Sequence, residues 1–154
     1  MRLGRLMRLA LARHGVTGGD ARERARKAMR AVLLDEELLR RYPHQVSGGQ
    51  AQRFAIALAV ALRAEVLLAD EPTSALDVTV QAAVVELLGR LRAEYGMGLV
   101  FVSHDLALVS RIADHVVVMR AGRVMESGPA ARVLSDPADA YTRELLAAVP
   151  AIGG

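Results

Sequence analysis

Apolar residues return every three or four positions at the start of the chain. In MRLGRLMRLALAR (1–13), Leu3, Leu6, Met7 and Leu11 share one helical stripe. The stretch 15–19, with three glycines, breaks it, and Asp20 is placed to cap a second helix over about 21–34. A short third helix is predicted over 36–41, ended by Pro43. The first 45 residues therefore read as wholly helical. From Ser47 the pattern changes. A long helix is predicted over 49–63, then a continuous apolar run at 66–69 of the kind found in a strand buried on both faces. Val80, Val84, Leu87, Leu88 and Leu91 form the inner stripe of a helix over 78–94. A second buried strand (99–102), a helix (105–112) and a hairpin follow, the hairpin pairing 115–119 with 123–126 around Ala121 and Gly122. Pro129 opens a short helix to about 134, and another covers about 138–148. Strands alternating with helices predict an α/β fold with a largely parallel sheet.

Composition sharpens this. At 154 residues the sequence is one domain or a large piece of one. It is 53% apolar and only 3% aromatic, so Leu, Val and Ala must carry the core. With no cysteine, disulfides and thiolate zinc sites are excluded. The longest apolar stretches, such as 54–62, are too short to span a bilayer. The first residues lack a secretory leader's apolar block and cleavage pattern, so secretion is not expected. Charge is uneven. Residues 1–30 hold nine basic and two acidic side chains, net +7, and the remainder is net −4. A solvated helix face explains this, as does a surface for nucleic acid or anionic lipid. No aromatics interleave with the arginines for base stacking. A transit peptide is Arg-rich and acid-poor, but Asp20 and Glu23 interrupt that pattern.

Candidate chemistry clusters at three places. Ligands of an open parallel sheet bind beyond the carboxyl ends of its strands. Asp70 and Glu71 end the first predicted strand, and Ser103, His104 and Asp105 follow the second. An aspartate there suits magnesium, a hard cation that wants oxygen ligands. An adjacent glutamate can polarise an attacking water. His104 can donate a hydrogen bond to a terminal phosphate as charge develops. The third place is Ser47, Gly48, Gly49 and Gln50. Ser47 can cap the helix behind it, and the helix N-terminus offers free N–H groups to an anion. Each has a plainer reading. Asp70 and Glu71 can simply open a loop before Pro72, His104 and Asp105 can be a helix cap and its neighbour, and the glycines can be an ordinary loop.

Order and spacing decide among these readings. VSGGQAQR (46–53) resembles the signature motif of the ATP-binding cassette (ABC) ATPases, with Val46 where leucine is usual. VLLADEPT (66–73) resembles their Walker B strand, SALD (74–77) their D-loop, and VSHD (102–105) their switch histidine. RRYPHQ before the signature, ALDVTVQ after Walker B and DPADAYTRELLAAVP near the end are similar to the dipeptide, oligopeptide and nickel importer branch. The resemblance covers nearly the whole chain but only the C-terminal part of the family's length. It implies a partial P-loop NTPase fold: a helical subdomain segment with the signature (1–63), the Walker B to switch-histidine core (64–128), and a C-terminal helical extension (129–154).

The resemblance also implies roles, with ATP and Mg2+ as cofactors. Asp70 would hold magnesium through water, Glu71 would be the catalytic base, and His104 would sense the γ-phosphate. Ser47, Gly48, Gly49 and Gln50 would contact the nucleotide held by a second ABC ATPase subunit, in a homo- or heterodimer, and Asp77 would lie at that interface. Membrane permease subunits would be direct partners at the cytoplasmic face of the cell membrane, with a solute-binding protein acting indirectly and no nucleic acid involved. The cargo stays open among peptides, nickel and related solutes.

One part of the machine is missing from the sequence. A phosphate-binding loop reads G-x-x-x-x-G-K-[ST]. The single lysine, Lys27, sits between Arg26 and Ala28 and cannot belong to it. The family's Q-loop and adenine-stacking aromatic are absent too. The 154 residues alone are expected neither to bind ATP tightly nor to hydrolyse it, and to leave apolar sheet surface uncovered. Three functions stay open: the ATPase subunit of an importer, represented by part of its domain; a non-catalytic module lending its signature loop to a partner; and an ABC ATPase acting on nucleic acid. The last usually carries long coiled coils, and no sustained heptads are visible.

Overall fold

The computed structural model describes residues 1–72 and 78–148. The chain divides into two units, Met1–Val100 and Phe101–Gly154. The first is built on helices. Helix α1 (Leu3–Arg13) buries Leu3, Met7 and Leu11, while Leu6, expected on that stripe, is 37% exposed. Three residues at i, i+4 and i+8 already fill the inner face, and Leu6 falls on its flank. Gly4 lets α1 close on the 3-10 turn Glu36–Arg40: a Cβ there would lie 2.8 Å from the Leu39 carbonyl oxygen.

Helix α2 (Gly18–Ala31) presents Ala21, Ala25, Ala28 and Met29 inward. These small side chains let it approach α3 (Gly48–Leu62), whose buried face holds Phe54, Ile56, Ala57, Val60 and Ala61. Asp20 does not cap α2. Thr17 is its N-cap residue, and Asp20 lies in the first turn, where its charge favours the helix dipole. The helix also ends earlier than predicted, at Ala31, because Leu33 turns the chain at φ 57°. Pro43 does not merely stop the preceding segment; it begins a 3-10 turn, Pro43–Gln45. Helix α4 (Val78–Tyr95) buries Val84, Val85, Leu87, Leu88 and Leu91, with Val80 half-buried.

Strand β1 (Val66–Asp70) pairs in parallel with β2 (Gly98–Val102), the Gly98 amide donating to the Glu65 carbonyl at 2.8 Å. Both strands were expected to be buried on both faces. Instead Val66 is 60%, Leu68 66% and Val100 50% exposed. Their apolar runs are those of a sheet covered on two sides, but among the described residues only two strands form it, and one face stays open. The expectation of uncovered apolar sheet surface therefore holds.

The second unit folds around a hairpin. Strand β3 (His115–Arg120) pairs antiparallel with β4 (Arg123–Pro129), and Ala121 and Gly122 turn the chain at φ 48° and 75°, the two positive values a tight hairpin turn wants. Val116 and Val118 point into a core shared with Val109 of α5 (Leu106–Ile112) and with Ala130 and Val133 of α6 (Ala130–Ser135). Tyr141 and Leu145 of α7 (Ala140–Ala147) pack against it. Glu126 ties the last helices to the hairpin. Its buried carboxylate accepts the backbone N–H groups of Ala138 (3.0 Å) and Asp139 (3.1 Å) and pairs with Arg132 at 3.5 Å. Those bonds, the Ala138 amide first, hold its carboxyl below the ordinary glutamate range although burial opposes them.

Candidate functional site

Ser47, Gly48, Gly49 and Gln50 stand at the start of α3, and local bonds fix them. Ser47 Oγ accepts the Gln50 N–H at 3.2 Å, and Gln50 Oε1 accepts the Ser47 N–H at 3.0 Å. This reciprocal capping box satisfies two of the donors at the helix start. It leaves the amides of Gly48 and Gly49 between the two bonded ones, at the positive end of the helix dipole. A Cβ added to Gly48 would meet nothing within 4 Å, so the space on the side-chain side of its Cα is open. Arg53 reaches back from the next turn, its Nε donating to the Gly49 carbonyl at 3.3 Å. The loop is exposed at Ser47 and Gly48. The sequence reading took Ser47 as the cap but missed Gln50 as its partner, although S-x-x-Q spells the box.

Asp70 is the last residue of β1, and Glu71 follows it at φ 42°, in the left-handed region. A non-glycine residue there costs of order 1–3 kcal/mol, and such strain gathers where a side chain must be aimed. Both side chains are exposed. Nothing in the sequence announces that conformation, because glutamate has no preference for it. Among the described residues no three His, Asp, Glu or Cys side chains gather around a common metal position. A lone exposed carboxylate still fits magnesium, which keeps several waters and is held by one or two carboxylates plus phosphate oxygens.

In the second unit, Ser103, His104 and Asp105 form the turn after β2. Asp105 is the cap of α5, its carboxylate accepting the N–H groups of Ala107 (2.9 Å) and Leu108 (3.2 Å). Ser103 Oγ accepts the Asp105 N–H at 3.0 Å. The plainer reading of Asp105 is thus observed, and it leaves His104 as the exposed residue of a turn pinned on its C-terminal side. Asp77, with the rest of residues 74–77, lies outside the described residues.

Comparison with known proteins finds similar chains. The ABC transporter family matches residues 5–74. The peptidoglycan transport ATP-binding protein YejF of Agrobacterium fabrum is 50% identical over 137 residues, covering 88% of this chain and 25% of that protein. The di/tripeptide transport ATP-binding protein DppF of Pseudomonas aeruginosa is 50% identical over 133 residues, covering 86% of this chain and 41% of that protein. Among solved structures, a dimeric post-hydrolysis ATP-binding cassette bound to ADP and Pi superposes with a TM-score of 0.65 at 33% identity, covering 75% of this chain and 49% of that one. The chain thus spans less than half the length of each of these proteins.

Proposed function

We propose that this chain is a member of the ABC transporter family, whose model matches residues 5–74, and that it is part of the ATP-binding subunit of an importer. It contributes the signature loop, the Walker B strand end and the switch histidine. The cargo class is peptides or related small solutes, as in the named transport functions of its relatives. The observation that carries the reading is the exposed pair Asp70 and Glu71 at the carboxyl end of β1, with Glu71 held in a strained backbone conformation.

The roles follow from chemistry. The Glu71 carboxylate takes a proton from the water that attacks the terminal phosphorus of ATP. Asp70 would hold Mg2+ through water, and the ion, when bound, would supply positive charge against the phosphate oxygens. His104 donates a hydrogen bond to the γ-phosphate as charge develops there. The Gly48 and Gly49 amides and Ser47 face the triphosphate bound by a second subunit, so hydrolysis needs a dimer, with Asp77 at the contact. Membrane permease subunits receive the resulting motion. The subunit works peripherally at the cytoplasmic face; among the described residues no helix is long and apolar enough to cross a membrane.

The phosphate-binding loop has to come from sequence outside these 154 residues. The test is turnover in an assembly that supplies it. Glu71→Gln removes the base and is expected to lower turnover about 10²- to 10⁴-fold, the usual worth of general base catalysis. A second reading rests on the self-contained capping box of residues 47–50, which needs nothing from Glu71. In it the chain only lends its signature loop to a complete partner. Glu71→Gln then leaves turnover unchanged, while Ser47→Ala and Gly48→Ala abolish it.

A further inference from the structure

In the first unit, α1, α2 and the turn Glu36–Arg40 enclose an open groove of about 690 Å³. Arg5 and Arg8 reach it from α1, Arg22 from α2 and Arg40 from the turn, against two acids, Glu36 and Glu37. Glu36 is already engaged by Arg26 at 3.1 Å and Arg30 at 3.9 Å. Among the described residues, Arg5, Arg8 and Arg22 make no ion pair. Arg5, Arg8, Arg22 and Arg40 therefore share the groove with one acid, Glu37, that is not already in an ion pair, and the excess of positive charge raises a local potential that an anion would relieve.

The solvent side of α1 adds a second feature. It carries Leu6 and Leu9, the latter 47% exposed, among Arg2, Arg5, Arg8 and Arg13, and the helix contains no acid. A site for a small soluble anion has no use for exposed leucines. A nucleic-acid surface wants free aromatic faces. Tyr42, the aromatic residue of this groove, is stacked on His44 at 5.5 Å and lies under Arg2 at 5.6 Å. Aliphatic side chains set among arginines are what a shallow membrane-surface contact uses: the leucines enter the headgroup boundary and the guanidinium groups pair with phosphates. We propose that the outer face of α1, with the adjoining groove, docks on an anionic phospholipid surface.

The test is sedimentation of the purified chain with vesicles of phosphatidylcholine, alone or mixed with phosphatidylglycerol. Binding is expected with the anionic vesicles only, and it falls as salt rises and screens the arginines. Arg5→Glu with Arg8→Glu lowers partitioning by about 30-fold or more, since each surface arginine contributes roughly fivefold. The control is Arg111→Glu with Arg123→Glu, two exposed residues of the second unit that change net charge equally; it stays within a few-fold of the parent. Leu9→Ala weakens binding without changing charge. If circular dichroism shows that the glutamate pair disturbs α1, Arg5→Gln with Arg8→Gln makes the same comparison. Equal loss in both double variants, no preference for anionic vesicles, complete competition by inorganic phosphate, or tighter binding to DNA or an acidic peptide would overturn the proposal.

Discussion

The N-terminus of α3 and the strand β1 sit eighteen residues apart and solve opposite problems. Residues 47–50 close on themselves: Ser47 and Gln50 exchange hydrogen bonds, and the helix behind them is packed through Phe54, Ile56 and Ala57. Strand β1 does not close. Val66 and Leu68 face outward, and the strand ends in Asp70, followed by Glu71, two exposed carboxylates. The difference separates a loop closed by its own bonds from a strand left open: the helical part satisfies its exposed turn locally, whereas the sheet ends in two exposed carboxylates and leaves an apolar face uncovered.

The largest effect that can break this comparison is catalytic. In a completed assembly, Glu71→Gln lowers turnover about 10²- to 10⁴-fold, measured as phosphate release, while leaving the fold unchanged. Next come the packed helices. Leu88→Ala, at a side chain 1% exposed, costs about 2–5 kcal/mol in denaturant unfolding. The cap of α3 is smaller: Ser47→Ala costs about 0.5–2 kcal/mol.

Glu126 gives a pH-dependent effect. Its carboxyl titrates below the ordinary range, so its stabilisation is full above the unfolded-state value and is lost as pH falls through the folded one. Melting temperatures of the parent and Glu126→Gln should therefore differ at neutral pH and converge in acid. The smallest effect belongs to the open strand. Leu68→Ser should change stability by less than about 0.5 kcal/mol, as for an ordinary surface site, yet reduce self-association measured by light scattering. A cost of several kcal/mol there would mean that the face is covered and the comparison is wrong.

The sequence was a good guide wherever one local pattern decides the outcome. The stripe of Leu3, Met7 and Leu11 and the inner face of α4 are legible because helical period alone places them. The turn at Ala121 and Gly122 follows from the two runs that flank it. The buried strands were misread because an apolar run says only that a face wants cover, and whether Leu68 receives it depends on which other strands are present. Asp20 was mistaken for a cap because the helix starts earlier than the sequence suggests, at Gly18, which puts Asp20 inside the first turn. The Glu126 carboxylate was invisible because its amide donors, Ala138 and Asp139, lie twelve and thirteen residues away. At the candidate site, residue types and order were readable, and so was the Ser47–Gln50 capping box that S-x-x-Q spells, whereas the left-handed backbone of Glu71 is a property of the folded chain.

The central claim is that this chain holds the signature loop and the catalytic carboxylates of an ABC ATPase but depends on a phosphate-binding loop from elsewhere. The most direct test is titration of a fluorescent ATP analogue with Mg2+ into the purified chain, first alone and then with the phosphate-loop portion of a relative. The account predicts no saturable binding by the chain alone, and binding with turnover once the loop is supplied. Micromolar binding and hydrolysis by the 154 residues alone would contradict it.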